Sequence, residues 1–145
     1  MNSFFISQTT THSRARIITY WVVTSLIAFE LVHGALWDFN LLNKGYVDAI
    51  LRHLGYPLYL GAILGTCKMV AAVFILLPGF LLLKEWAYAG VSILFAGAFV
   101  SHLLVGDSVA QFVWSFLFGV LAISSWALRP ANRRIANNSF PITYS

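Results

Sequence analysis

The segment GAILGTCKMVAAVFILL, residues Gly61–Leu77, decides the fold. Apart from Thr66 and Lys68, every residue in it is small or apolar. The apolar block that contains it, Pro57–Pro78, has the length of a helix that crosses a hydrocarbon core of about 30 Å. Because a bilayer core offers no water to backbone polar groups, such a block has to be helical.

Three further blocks have the same character: Ile17–Trp37, Trp86–Gly106 and Ser108–Leu128. The chain has 145 residues, of which 59% are hydrophobic and 10% charged, whereas about a quarter of a soluble domain is charged. Short connections force consecutive helices into antiparallel contact. The sequence therefore predicts an all-α integral membrane protein, an up-down bundle of four transmembrane helices.

The chain divides into a polar N-terminal tail at residues 1–16, a membrane domain at 17–128 and a C-terminal tail at 129–145. Between the first two blocks, YVDAILRHLGY carries apolar residues at helical spacing. This pattern predicts a short amphipathic helix on the outer surface of the membrane.

Basic residues near the ends of the blocks predict the orientation. Six fall on one side of the membrane, and only Lys44 and Arg52 fall on the other. We expect both termini in the cytoplasm and the protein in a bacterial inner (plasma) membrane. The net charge of +4 then reflects topology, and no basic stripe with stacking aromatics indicates a nucleic-acid partner. The six residues are Arg14, Arg16, Lys84, Arg129, Arg133 and Arg134.

Five polar side chains inside the blocks form the candidate ligand site. At 1.5 Å per residue, Lys68 lies near the midplane and the others lie about 4–10 Å toward the outer side. We expect nothing comparable in the inner half, and we expect Lys68 to pair with Glu30. Such a pair either fixes helix register alone or marks a proton, substrate or ligand site. The five residues are Glu30, His33, Lys68, His102 and Gln111.

The chemistry of these side chains favours a quinone as the ligand. Quinone carbonyls accept hydrogen bonds from His, Lys or Gln, and Trp37, Tyr59 and Trp114 lie in the same half to provide aromatic walls. A single Glu-x-x-His is not a di-iron motif, and no metal is predicted. The single cysteine, Cys67, excludes redox chemistry through paired thiols of this chain.

Four segments resemble the DoxX-like family: HLGYPLYL (His53–Leu60), the lysine after Gly65, LKEWAYAG (Leu83–Gly90) and SHLLVGD (Ser101–Asp107). The resemblance covers about residues 20–128. It implies a bacterial four-helix inner-membrane protein, similar to the membrane subunit of thiosulfate:quinone oxidoreductase. The residues that match the family pattern are Lys68, Lys84, Glu85, Trp86, Ser101, His102 and Asp107.

Several of these matching residues have a structural interpretation. Lys84 and Glu85 suit the cytoplasmic start of a helix, and Trp86 and Tyr88 suit interfacial anchors. Asp107 suits the tight turn beside Gly106.

The expected function is a quinone-linked redox subunit, or an accessory protein, of a membrane oxidoreductase complex. Whether the chain is itself an enzyme stays open. A small proton-coupled transporter and a non-catalytic assembly subunit are the alternatives. The expected partners are the lipid bilayer, a quinone and the other subunits of the complex. An oligomer is compatible with the small-residue helix faces.

Overall fold

The computed structural model describes the backbone of residues 2–135 and the side chains of residues 14–135. Most of the predicted C-terminal tail, residues 136–145, lies outside the described residues. The described part contains helices and no strand. These are α1 (Asn2–Asp38), α2 (Tyr46–His53), α3 (Tyr59–Leu76), α4 (Leu81–Leu104), α5 (Val109–Leu128) and a 3₁₀ turn at Ala131–Arg133.

Four of these helices are long and apolar enough to cross a membrane, namely the Arg14–Asp38 part of α1 together with α3, α4 and α5. The all-α membrane architecture is therefore confirmed. The boundaries differ at two places: α1 already begins at Asn2, and α4 begins at Leu81. Lys84 and Glu85 interrupt the apolar pattern of the fourth helix, but both are good helix formers and lie inside it.

The four spanning helices form a closed ring. Helix α1 packs against α3 and α5, and α4 packs against the same two helices, so that α1 and α4 lie diagonally. The apolar interior is contributed by all four, with Ile27, Leu31, Ile75, Tyr88 and Phe95 among its buried residues. Many large apolar side chains point outward, as a surface in contact with lipid requires.

Helix α2 confirms the predicted short amphipathic helix. It follows Gly45, whose φ of 84° lies in the left-handed region, and Leu51 is its buried residue. It packs against α1 and α3. We call this end of the bundle the α2 end and the opposite one the Lys84 end.

Candidate functional site

Lys68 forms an ion pair with Asp38, the last residue of α1. The distance from Lys68 Nζ to Asp38 Oδ2 is 2.7 Å, and the two side chains are 15% and 7% exposed. The expected partner, Glu30, does not reach ion-pair distance. The lysine stem instead extends from the middle of α3 toward the end of the bundle where α1 terminates, as long cationic side chains in membranes do.

Glu30 is nevertheless a neighbour of the pair. Glu30, Gly34 and Asp38 are spaced four residues apart, so they share one face of α1. A Cβ atom at Gly34 would lie 3.2 Å from Lys68 Nζ and 3.6 Å from Glu30 Oε1. The ammonium group thus lies over Gly34, with one carboxylate a helical turn away on either side.

Neither member of the ion pair is saturated with hydrogen bonds. Asp38 Oδ2 is buried, and in the described part of the chain no donor approaches it in hydrogen-bonding geometry. At 2.7 Å the Lys68 ammonium nonetheless supplies the compensating charge for this oxygen. Beyond Asp38, Lys68 makes no ion pair with another described side chain.

The glycines of α3 let the end of α1 approach closely. A Cβ atom at Gly65 would lie 3.0 Å from Cζ of Phe39 and 3.1 Å from Cβ of Asp38. The Gly61-x-x-x-Gly65 face thus packs helix on helix, as small residues do in membranes. This contact holds Asp38 against α3 three residues from Lys68.

His33 lies on α1 among aromatic rings. Its Nε2 accepts a hydrogen bond from Trp37 Nε1 at 3.0 Å, and its ring stacks on Phe29 with centroids 5.6 Å apart. Nε2 is therefore occupied by an indole donor in this structure.

The other two predicted residues, His102 and Gln111, belong to a second cluster. Asp107 accepts from His102 Nδ1 at 2.6 Å through Oδ2, and from His53 Nε2 at 2.7 Å through Oδ1. Gln111 Nε2 donates to the same Oδ1 at 3.1 Å. The predicted five-residue site is thus two sites, one between α1 and α3 and one joining α2, α4 and α5.

The hydrogen bonds from His102 and His53 hold the pKa of the Asp107 carboxyl below its ordinary value. Sequence reasoning assigned Asp107 to a turn and His53 to an amphipathic helix, and so missed that they meet. Their common position at the α2 end was the available signal. No group of three or more His, Cys, Asp or Glu side chains that could hold a metal ion occurs among the described residues.

An apolar groove of about 530 Å³ runs between α3 and α4. Its walls are aliphatic and aromatic, and they include Lys68 and the exposed Cys67. Trp37, Tyr59 and Trp114, the aromatics expected around a quinone, do not line it. Its aromatic residues are Phe74 and Trp86.

The comparison with protein families supplies one finding. The model of the DoxX-like family matches residues 22–125, most of the membrane domain. The chain belongs to the DoxX-like family. Comparison with curated proteins and with solved structures found no significant match.

In this DoxX-like protein the LKEWAYAG segment carries buried contacts at the Lys84 end. Lys84 is fully buried, and its Nζ donates to the carbonyls of Phe74, Ile75 and Leu77 at 2.5, 2.8 and 2.7 Å. These carbonyls belong to the last turn of α3, which has no intrahelical donors for them. A buried lysine in the first turn of α4 therefore caps the neighbouring helix, a contact that its interpretation as a charge at a helix start did not include.

A second chain of polar contacts lies deeper in the same half. Ser125 Oγ is 2.7 Å from both Thr24 Oγ1 and Tyr88 Oη, and all three residues are buried. Nearby, Glu85 pairs with Arg129 at 2.8 Å and accepts from Trp126. The expectation of a polar layer in one half only is therefore wrong.

Proposed function

We propose that this DoxX-like protein binds a quinone in the groove between α3 and α4, as a redox subunit or accessory protein of a membrane oxidoreductase complex. One observation carries the proposal: Lys68 belongs both to the wall of the groove and to a buried ion pair, and its ammonium has three N–H donors while Asp38 is its only ion-pair partner among the described residues.

The groove suits a hydrophobic ligand that arrives through the bilayer. Its volume of about 530 Å³ falls in the range of small-molecule sites. Residues beside it, such as Trp86 and Ile93, are 66% and 72% exposed on the outside of the bundle. A quinone could enter sideways from the lipid and place its tail along the apolar walls.

Lys68 would bind the polar end of the ligand. In this proposal the Lys68 ammonium, which lies over Gly34 of α1, would turn toward the groove and donate to a quinone carbonyl oxygen, while the adjacent Asp38 balances its charge. Glu30, one turn from Gly34, would be a second acidic group near the same end.

The chain itself would supply binding and proton-carrying groups. Reduction of a quinone to a quinol consumes two electrons and two protons. Side chains do not carry the electrons unaided, so they would come from a partner that holds a cofactor. Six basic residues near the helix ends at the Lys84 end favour placing both termini and that end on the cytoplasmic side of a bacterial inner membrane.

Two glycines on α4 allow a matched test. Gly90 lines the groove, Gly97 does not, and a Cβ atom at either would meet nothing within 4 Å. Gly90→Leu should fill the groove, whereas Gly97→Leu should place an equal side chain on open surface. Quinone that co-purifies in native nanodiscs is measured by extraction and mass spectrometry.

We expect Gly97→Leu to retain wild-type quinone and Gly90→Leu to lose about tenfold, which corresponds to about 1.4 kcal/mol of binding. Lys68→Met should lose quinone as well. A wild type with no quinone even after incubation with a short-chain benzoquinone would overturn the proposal, as would equal retention in the two glycine variants.

Proton-coupled transport is a second candidate because of one observation. An exchanger needs a membrane carboxylate that is free to bind and release a proton, and Glu30 has no ion-pair partner among the described side chains. Glu30→Gln should then abolish proton-driven substrate flux in proteoliposomes. Flux that survives Glu30→Gln would rule out this candidate.

A further inference from the structure

The connection between α1 and α3 crosses the end of the bundle over the Lys68–Asp38 pair. Leu51 of α2 is 4% exposed and packs on Gly61 of α3. A Cβ atom at Gly61 would lie 3.5 Å from Leu51 and 3.2 Å from the carbonyl oxygen of Asp38. The ring of Tyr46 rests against Trp37, with centroids 4.8 Å apart. We call residues 39–58 the strap.

The strap is fastened at its far end to the opposite side of the bundle. His53, the last residue of α2, binds Asp107 in the turn between α4 and α5. Tyr56 Oη is 2.8 Å from Ser101 Oγ of α4. The strap therefore spans from the end of α1 to the α4–α5 turn, and two side-chain contacts hold it there.

The near end of the strap has a turn rather than a rigid helix. Asn40, at φ 58°, donates to Asp48 at 3.2 Å and accepts from the backbone of Gly45. Gly45, at φ 84°, has open space around its Cα. Residues 41–46 of this turn are exposed, so the strap can bend here without uncovering buried side chains.

We propose that the strap guards the Lys68–Asp38 pair and that the His53–Asp107–His102 clamp fastens it more tightly at acidic than at alkaline pH. Its role as a guard of a ligand site rests on the proposed function. The clamp and its pH response do not.

The chemistry of the clamp predicts how its strength depends on pH. Imidazole changes charge between about pH 5 and pH 8. An imidazolium that donates to a carboxylate makes a hydrogen bond charged on both sides, and such bonds are stronger than those with a neutral donor. Acidic conditions should therefore hold the strap down, and alkaline conditions should release it.

Among the side chains that the structure describes, no charged group other than the two histidines contacts Asp107. The titratable groups that face Asp107 are His53 from α2 and His102 from α4, and α5 contributes only the uncharged Gln111. Tyr56 contacts Ser101 and not the carboxylate.

Cysteine labelling of the full chain in nanodiscs tests the strap. In a Cys67→Ser background, Leu51→Cys reports on the covered face, and Leu41→Cys, at a site 68% exposed in the same strap, is the reference. The rate at which each cysteine reacts with a charged, water-soluble methanethiosulfonate is measured at several pH values. The ratio of the two rates removes the common effect of thiol ionisation.

We expect the Leu51/Leu41 ratio to rise severalfold, about threefold or more, from about pH 5.5 to about pH 8. Asp107→Asn should raise the ratio at acidic pH to its alkaline value and abolish the pH dependence. Arg52→Gln, which removes an exposed charge of α2 that makes no contact with Asp107, should behave as wild type. Val47→Cys, packed on the same Gly61, is the second reporter if Leu51→Cys does not fold.

A ratio that is independent of pH, or unchanged by Asp107→Asn, would overturn the clamp. The labelling measurement does not require a bound quinone. A wild type that retains none but shows the labelling response would refute the proposed ligand and leave the strap supported.

Discussion

Lys68 reaches Asp38 at 2.7 Å although the lysine lies in the middle of α3 and the aspartate ends α1. The contact exists because Gly34 leaves space beside α1 and Gly65 brings the end of that helix close. A cation in the membrane is thereby held between two acidic residues, one paired and one adjacent. Removal of the Asp38 carboxylate and removal of the Glu30 carboxylate should therefore change the free energy of unfolding by different amounts.

We predict that Lys68→Met destabilises the bundle more than Asp38→Asn does. Removing the lysine leaves the Asp38 carboxylate, 7% exposed, without a cation, which typically costs about 3–5 kcal/mol. Removing the aspartate lets Lys68 turn to Glu30 across Gly34, so the cost should be about 1–2 kcal/mol, in the range of typical mutations. Unfolding by sodium dodecyl sulfate in mixed micelles measures the difference.

Glu30→Gln is the control for this comparison and should change the unfolding free energy by less than about 1 kcal/mol, because Glu30 lacks an ion-pair partner among the described residues. Equal destabilisation by Lys68→Met and Asp38→Asn would show that Glu30 is no substitute partner.

We predict opposite effects for two glycine-to-alanine substitutions. At Gly65 the new methyl would lie 3.0 Å from Phe39 and 3.1 Å from Asp38 Cβ, so α1 and α3 have to separate, at a cost of about 1–3 kcal/mol. At Gly97 it meets nothing within 4 Å, and alanine should stabilise the helix by about 0.5–1 kcal/mol. The same unfolding titration distinguishes them, and destabilisation by both would contradict the packing at Gly97.

The architecture was predictable from the sequence because it depends on block length. Four apolar blocks of spanning length leave only helices, and the short loops leave only neighbouring antiparallel contacts. The helix ends were less predictable. The apolar block ended at Trp37, so Asp38 was assigned to a loop although it completes α1.

The partners of the polar residues were not predictable, because depth does not determine which helix faces meet. Their similar depth in the membrane predicted that His102 and Glu30 lie together. They are on α4 and α1, which lie diagonally across the bundle. Depth also gave no sign that Lys84 folds inward onto the carbonyls of α3. Such contacts depend on the rotation of each helix about its axis, which hydropathy constrains weakly when nearly every residue is apolar.

We predict that Lys84→Met is among the most damaging single substitutions. It leaves the carbonyls of Phe74 and Leu77 without a donor, and each buried unsatisfied group costs about 1–3 kcal/mol. The carbonyl of Ile75 still accepts from Arg133, so the total should be near about 3 kcal/mol. Yield and unfolding midpoint measure the loss.

Lys44→Met is the matched control, because Lys44 is exposed in the strap. Its effect should stay within about 0.5 kcal/mol, as for most surface substitutions. If Lys84→Met is as mild as Lys44→Met, the lysine does not cap α3.

The lowered pKa of Asp107 predicts an acid-sensitive contribution to stability. Because the folded-state pKa lies below the unfolded value of about 3.9, the contribution is complete above that value and disappears as the pH falls through the folded pKa. The difference in unfolding free energy between wild type and Asp107→Asn should therefore shrink progressively as the pH falls below about pH 5. His102→Gln removes the largest cause of the shift and so raises the folded-state pKa. In that background the difference should stop shrinking at a higher pH, and less of it should be lost in total. A difference that persists undiminished at about pH 2 would mean that Asp107 contributes through packing and not through its charge.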